Sequence, residues 1–190
     1  MTSALTPRLL VIGCSVREGR AGPSVVRWTV AQAAKHAGFA VGSVDLRDVV
    51  TDEDEPELPS TGRYVHEHTR RWSQTVAAAD AVFLVTPEYN HSFTGKTKLA
   101  LDRLYLEWAN KPVGFLSYGG QSGGLRAVEA LKPVLCALRM HPLSNGVAVP
   151  NFQDHLATGH FQPTDGVASA LHRHLDELLG LTQSLLPLRA

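Results

Sequence analysis

The chain has 190 residues, 44% hydrophobic and 19% charged, a composition that fits one globular domain with a sizeable core and excludes a chain disordered throughout. Its 18 Lys and Arg balance 18 Asp and Glu to a formal net charge of +0, and no basic stripe interleaved with aromatics runs through it, so no nucleic-acid partner is expected. No apolar run approaches a membrane span, Cys14 and Cys136 cannot build a disulfide framework, and no signal-like N-terminus is seen, so the expected compartment is a reducing cytoplasm and no membrane partner is expected.

Residues 1–7 read as a leader, after which Leu9, Leu10, Val11 and Ile12 form the short apolar run of a strand buried on both faces. The turn over 13–23 carries Gly13, Gly19 and Gly22 with Ser15, Arg17 and Arg20. Ser24 is placed to cap a helix over 25–36, which Gly38 closes. A strand, a glycine-rich turn and a helix N-terminus suit an anion, because free amides point outward and the helix dipole favours negative charge. Arg17 and Arg20 would add charge-assisted hydrogen bonds. The turn lacks the Gly-Lys-Ser of a nucleotide phosphate loop and the spaced glycines of dinucleotide folds, and alone it equally suits a solvated turn with two surface arginines.

A second strand is expected over 39–46. The acidic run 52–57 reads as a solvated loop, since it lacks the glycine and spacing of a calcium loop. A helix over 64–79 follows, in which His66 and His68 stand at i and i+2 on different faces and so share no metal. The third strand, 81–85, runs into Thr86, Pro87, Glu88, Tyr89 and Asn90. Pro87 removes a backbone donor and ends the ladder, which frees backbone groups at the carboxyl end of a buried strand, where open α/β sheets bind ligands. The segment 96–108 reads as a helix whose Leu99, Leu101, Leu104, Leu106 and Trp108 cover more than one side, for a core cluster or a subunit interface. A fourth strand, 112–117, leads into Tyr118, Gly119, Gly120, Gln121, Ser122, Gly123 and Gly124, then a helix over 125–138. A last strand over 147–149, an irregular stretch over 151–166 and a helix over 167–186 complete the chain.

Strands and helices alternate throughout, which implies a single-domain, doubly wound parallel α/β sheet. Five strands favour the flavodoxin-like order 2-1-3-4-5 over a six-stranded dinucleotide fold. That order gathers the loops after strands one, three and four. Ser15, Arg17 and Arg20 would hold a phosphate, while Pro87, Glu88, Tyr89 and Asn90 and, opposite, Ser117, Tyr118, Gly119 and Gly120 would face a flat ring with polar edges. An isoalloxazine meets this demand, since backbone donors bond its acceptors and stabilise the charge of the reduced ring. The ligand expected from the loops is FMN.

The stretches Cys14-Ser15-Val16-Arg17-Glu18-Gly19-Arg20, Pro87-Glu88-Tyr89-Asn90-His91-Ser92 and Ser117-Tyr118-Gly119-Gly120-Gln121-Ser122-Gly123-Gly124-Leu125-Arg126 resemble the NADPH-dependent FMN reductase family, whose members include azo-, quinone- and chromate-reducing enzymes. The resemblance runs from Leu9 to about Val149. It implies noncovalent FMN, reduced by NADPH or NADH and reoxidised in a ping-pong cycle by a small-molecule acceptor: a quinone, azo compound, metal oxyanion or free flavin. It also implies phosphate contacts from Ser15 and Arg17, joined by Arg20, ring walls at 87–90 and 117–120, and assembly as a homodimer or homotetramer. No catalytic side chain is required. Glu88 is expected to orient its loop or an adjoining subunit. An FMN-binding electron carrier or redox sensor without NAD(P)H turnover is the alternative. Two departures stand out: Cys14 replaces the family's usual glycine and is expected to pack under the loop, and Lys96 and Thr97 lie near the loop that admits nicotinamide or acceptor.

Overall fold

The computed structural model describes residues 6–49 and 53–189, so most of the leader and Asp52 lie outside the described residues. Strand β1 (Arg8–Gly13) is followed by α1 (Gly22–His36), β2 (Ala40–Asp45), the one-turn α2 (Leu46–Val49), α3 (Glu67–Ala77) and β3 (Ala81–Pro87). Then come α4 (Gly95–Asp102), β4 (Pro112–Tyr118), α5 (Leu125–Ala137), β5 (His141–Pro142), β6 (Val147–Val149), a hairpin of β7 (Leu156–Ala157) and β8 (His160–Phe161), and α6 (Asp165–Leu185). The main sheet is parallel in the order 2-1-3-4-5, as expected, with β6 as a sixth strand also paired to β4. Among the described residues no helix is long and apolar enough to cross a membrane.

Side-chain alternation divides the core into two layers. Leu10 and Ile12 of β1, Val82 and Leu84 of β3 and Val113 and Phe115 of β4 pack toward α3, α4 and α5. Leu9 and Val11, Phe83 and Val85, and Leu116 and Tyr118 pack toward α1 and α6. On the first side Trp72 and Trp108 meet edge to face at 5.8 Å, and their buried indole N–H groups donate to Ala100 O and Leu101 O at 3.0 Å each. These bonds let two large rings fill the space between α3 and α4 without stranding a donor.

Several local expectations are corrected. Helix α1 starts three residues early, with Ala21 at its N-cap and no side-chain cap, while the Ser24 hydroxyl lies inside the helix and accepts from Phe161 N at 2.7 Å. Its C-terminal left-handed position is Ala37 (φ 58°), not Gly38, which is instead crowded against Leu179. Strand β2 stops at Asp45 because Leu46 opens α2. Glu55 accepts from Val65 N and His66 N, so α3 begins at Glu67, and His66, outside the helix, stacks on His68 at 5.4 Å. The described part of the acidic run is therefore pinned to the chain. The expected helix over 96–108 breaks after Asp102 into a separate turn over 106–108, leaving Leu104 and Trp108 buried but Leu106 exposed. The fifth strand is split: β5 pairs with Pro112 and Val113, β6 with Leu116, Ser117 and Tyr118.

That split would leave backbone of β4 without a ladder partner at its middle. His174 of α6 fills the gap, its Nε2 accepting from Phe115 N at 3.0 Å. It reaches the strand because Gly114 lacks a side chain on that face; a Cβ there would lie 2.9 Å from the Phe83 ring and 3.2 Å from His174 Nε2. Burial pushes the imidazole down to about 4, which keeps it neutral and an acceptor. The unfolded chain, with an ordinary histidine, binds the proton at higher pH. This contribution is thus fully present above about pH 6.5 and is lost as pH falls toward 4, on the order of 3 kcal/mol at the acid limit. His174→Gln, a neutral acceptor, is expected to flatten that segment of the stability profile, read as urea midpoints from pH 7.5 down to pH 4.

Candidate functional site

The carboxyl ends of β1, β3 and β4 meet in a cleft of about 810 Å³. Ser15, Arg17 and Arg20 line it from the first loop, Pro87, Glu88 and Tyr89 from the second, and Tyr118, Gly119 and Gly120 from the third. Nine of the eleven residues read from the sequence as site residues therefore converge. The other two do not line it. Asn90 is exposed in a tight turn, with Tyr89 N donating to Ser92 O at 2.8 Å, Ser92 N to Tyr89 O at 3.0 Å, and positive φ at Asn90 (49°) and His91 (65°). Ser117 is buried on the opposite face of β4 and donates its hydroxyl to Gly123 O at 2.8 Å. That bond tightens the loop, and Gly124 (φ 86°) is required there because a Cβ would sit 2.8 Å from Tyr118 N.

The loop after β3 is less free than its proline suggested. Pro87 still pairs in register with Tyr118, Glu88 N donates to Tyr118 O at 3.1 Å, and the Tyr89 amide is spent in the turn. Glu88 is engaged as well. Its Oε2 accepts from Ser122 Oγ and its Oε1 from Arg126 Nε, both at 2.7 Å. Burial alone would raise its pKa, but the hydrogen bonds from Arg126 and Ser122 and the guanidinium charge outweigh that and hold the carboxyl below the usual range. An ionised, doubly bonded Glu88 thus staples the second loop to the third within one chain. Sequence reading named neither Ser122 nor Arg126 as its partner, although both stand in the glycine-rich third loop and the first turn of α5.

At the other end of the cleft, α1 begins at Gly22. A Cβ there would lie 1.8 Å from Ser15 Oγ and 2.9 Å from the Tyr118 hydroxyl, so only glycine lets the start of the helix pack against these two hydroxyls. Arg20 NH2 is bound to Asp45 Oδ2 at 2.5 Å, while its Nε is buried with no partner among the described residues. Arg17 lies over the Tyr89 ring, 5.5 Å from its centre, joining the first loop to the second. Ser15 Oγ, the Tyr118 hydroxyl and Arg20 Nε, gathered at the start of α1, fit the phosphate of an FMN.

One wall was missed in the sequence. Asn151, Phe152, Gln153, Asp154 and Leu156 also line the cleft, in a stretch read as irregular. Asn151 N and Phe152 N donate to Gly120 O and Gly119 O at 2.9 Å each, and Phe152 packs 4.6 Å from the Tyr118 ring. The apolar Phe152 and Phe161 within a polar stretch were the available signal. Two other residues are more ordinary than their positions suggested. Burial pushes the Cys14 thiol up to about 12, so it packs beneath the loop. Thr97 is buried too, its hydroxyl 2.9 Å from that of Thr94, the residue that caps α4 and donates to Cys14 O.

A parallel, doubly wound sheet with a cleft at the carboxyl ends of its central strands defines a flavodoxin-like protein. The sequence matches the NADPH-dependent FMN reductase family over residues 7–154, and the chain belongs to that family: it is an oxidoreductase with FMN as cofactor and NAD(P)H as donor. It is 37% identical over 177 residues to an NAD(P)H-dependent FMN reductase of Schizosaccharomyces pombe, covering 92% of this chain and 86% of that protein. It is 37% identical over 107 residues to an NADPH:quinone oxidoreductase of Arabidopsis thaliana, covering 55% and 53%. In fold it is similar to FerB, a flavoenzyme NAD(P)H:(acceptor) oxidoreductase from Paracoccus denitrificans, with a TM-score of 0.71, 19% identity and coverage of 94% of this chain and 98% of that one.

Two outcomes are expected. Thiol titration should count one reactive cysteine in the native chain, Cys136, and two in denaturant, because Cys14 is fully buried. Arg126→Ala should lower stability by about 1 kcal/mol in urea unfolding, a modest loss because Arg126 is half exposed although Glu88 is not.

Proposed function

We propose that the cleft holds FMN with its phosphate at the start of α1 and its ring between the second and third loops, and that the protein reduces a small-molecule acceptor by ping-pong turnover. Donor and acceptor would use the same open face in turn. The observation that carries the reading is the meeting of an uncapped helix end, Ser15 and Arg20 with the two stapled loops in one cleft. FMN supplies the redox chemistry when bound, taking a hydride from NAD(P)H and passing two electrons to the acceptor.

The chain's own residues bind and orient. Ser15, Arg17 and Arg20 take the phosphate; Pro87, Glu88, Tyr89 and Asn90 form one ring-side loop, and Ser117, Tyr118, Gly119 and Gly120 the other. Since Asn90 and Ser117 stand outside the cleft lining, their part is to shape these loops. Glu88 is no general base, because its carboxylate is held ionised by Ser122 and Arg126, and solvent reaches the open cleft to supply protons. Quinones, azo compounds, metal oxyanions and free flavin are the acceptors proposed, and the name of the Arabidopsis relative supports a quinone. Assembly as a homodimer or homotetramer is part of this reading, supported by exposed Leu58, Val65 and Leu106 on neighbouring segments, as is a place in the reducing cytoplasm.

The test is anaerobic stopped-flow mixing of FMN-loaded protein with NADPH. Flavin absorbance should bleach and return when a quinone is added, and protein that stays yellow would refute the reductase reading. Glu88→Gln, with FMN bound, should bleach at a rate close to that of the unmodified protein.

A further inference from the structure

We infer that the Tyr118 hydroxyl is a direct ligand of the flavin phosphate and sets the preference of the cleft for FMN over riboflavin; this rests on the FMN reading above. Sequence order places Tyr118 beside the ring, between Ser117 and Gly119. Its side chain goes elsewhere. Tyr118 is the last residue of β4, and strand alternation turns it to the α1 and α6 side, whereas the backbone of Gly119 and Gly120 continues along the cleft. Its ring is held 4.6 Å from Phe152, which packs 5.7 Å from Phe161, and Tyr118 is only 6% exposed. The hydroxyl is thereby aimed at the first turn of α1 and cannot swing to water.

That hydroxyl makes no well-formed hydrogen bond among the described residues, and Ser15 Oγ, close enough to interact with it, leaves its remaining capacity open. Buried polar groups are almost always satisfied, and one that is not costs the fold its full desolvation penalty. Such a group persists where a ligand completes it. Arg20 Nε, buried and unpartnered in the same cleft, makes the same demand independently. Ser15 Oγ and the Tyr118 hydroxyl both pack against Gly22, at the N-terminus of a 15-residue helix that no side chain caps, and both residues line the cleft. Three kinds of side-chain donor, from phenol, serine and guanidinium, call for a ligand with several acceptor oxygens on one centre. A phosphate monoester provides this; the terminal hydroxyl of riboflavin does not. Asp45 already offsets the charge of Arg20, so the neutral donors carry more of the discrimination than two arginines in a loop would suggest.

The experiment is fluorescence titration of apoprotein and its Tyr118→Phe variant with FMN and with riboflavin, alongside thermal melts with and without FMN. Unmodified protein should prefer FMN. In Tyr118→Phe the Kd for FMN should rise roughly tenfold to a hundredfold, the loss of one hydrogen bond to a charged group, with the riboflavin Kd unchanged. The variant apoprotein should melt at a higher temperature, since an unsatisfied hydroxyl has been removed, while its gain in melting temperature on adding FMN should shrink. Equal FMN affinity in both proteins overturns the inference, and so does an equal loss for FMN and riboflavin, which would make Tyr118 a general support of the cleft. Unmodified protein that binds neither flavin overturns the FMN reading itself, an outcome seen before the variant is compared.

Discussion

Strand β4 lies in the interior on both faces, so each of its backbone groups must find a partner inside the protein. On one side β3 provides a continuous ladder from Val82↔Val113 to Pro87↔Tyr118. On the other, two short strands pair with its ends and the His174 imidazole accepts the amide between them. The cleft is a continuation of this arrangement. Where the ladder runs out, Glu88 N still finds Tyr118 O and Gly119 N still finds Val149 O, so the loops leave the sheet in fixed directions. A central strand that had to be satisfied along its length therefore sets the floor of the cleft.

The charged groups follow a similar logic. Glu88 is bound to Ser122 and Arg126, Arg20 to Asp45, and Arg17 lies on Tyr89. Most of the charge in the cleft is committed to holding loops in place. What is left open is a small set of neutral or half-used donors at the start of α1. Such an arrangement suits a protein whose ligand brings its own chemistry, because the protein's part is to hold shape and polarity constant while the ligand changes oxidation state.

Much of this was legible in the sequence, and the reasons differ by region. Continuous runs such as Leu9 to Ile12 mark buried parallel strands, and alternation with helical segments fixed the order of the sheet. Loops that leave such strands are constrained in position, so Ser15, Pro87 and Gly119 could be brought together without coordinates. The failures involve partners distant in the chain. Ser24 looked like a helix cap because local chemistry favours it there, yet its hydroxyl is taken by Phe161, 137 residues away. His174 carried no local signal, since its role exists only because the fifth strand is split. The wall at 151–156 has no periodicity to detect; it is ordered by bonds to Gly119 and Gly120 rather than by its own sequence.

The wall belongs to a different part of the molecule from the three loops. Residues 151–161 are held by bonds to the Gly119 and Gly120 carbonyls and the Ser24 hydroxyl and by the packing of Phe152 on Tyr118 and of Phe161 on Trp28, and the family match runs through residue 154. Beyond that point Leu156 still lines the cleft, so a replacement there can alter one side of its mouth while the main sheet keeps its register. The sheet thus acts as a chassis and the 151–161 segment as a panel seated on it by two buried phenylalanines, so that the floor of the cleft and the shape of its mouth are set by different stretches of the chain.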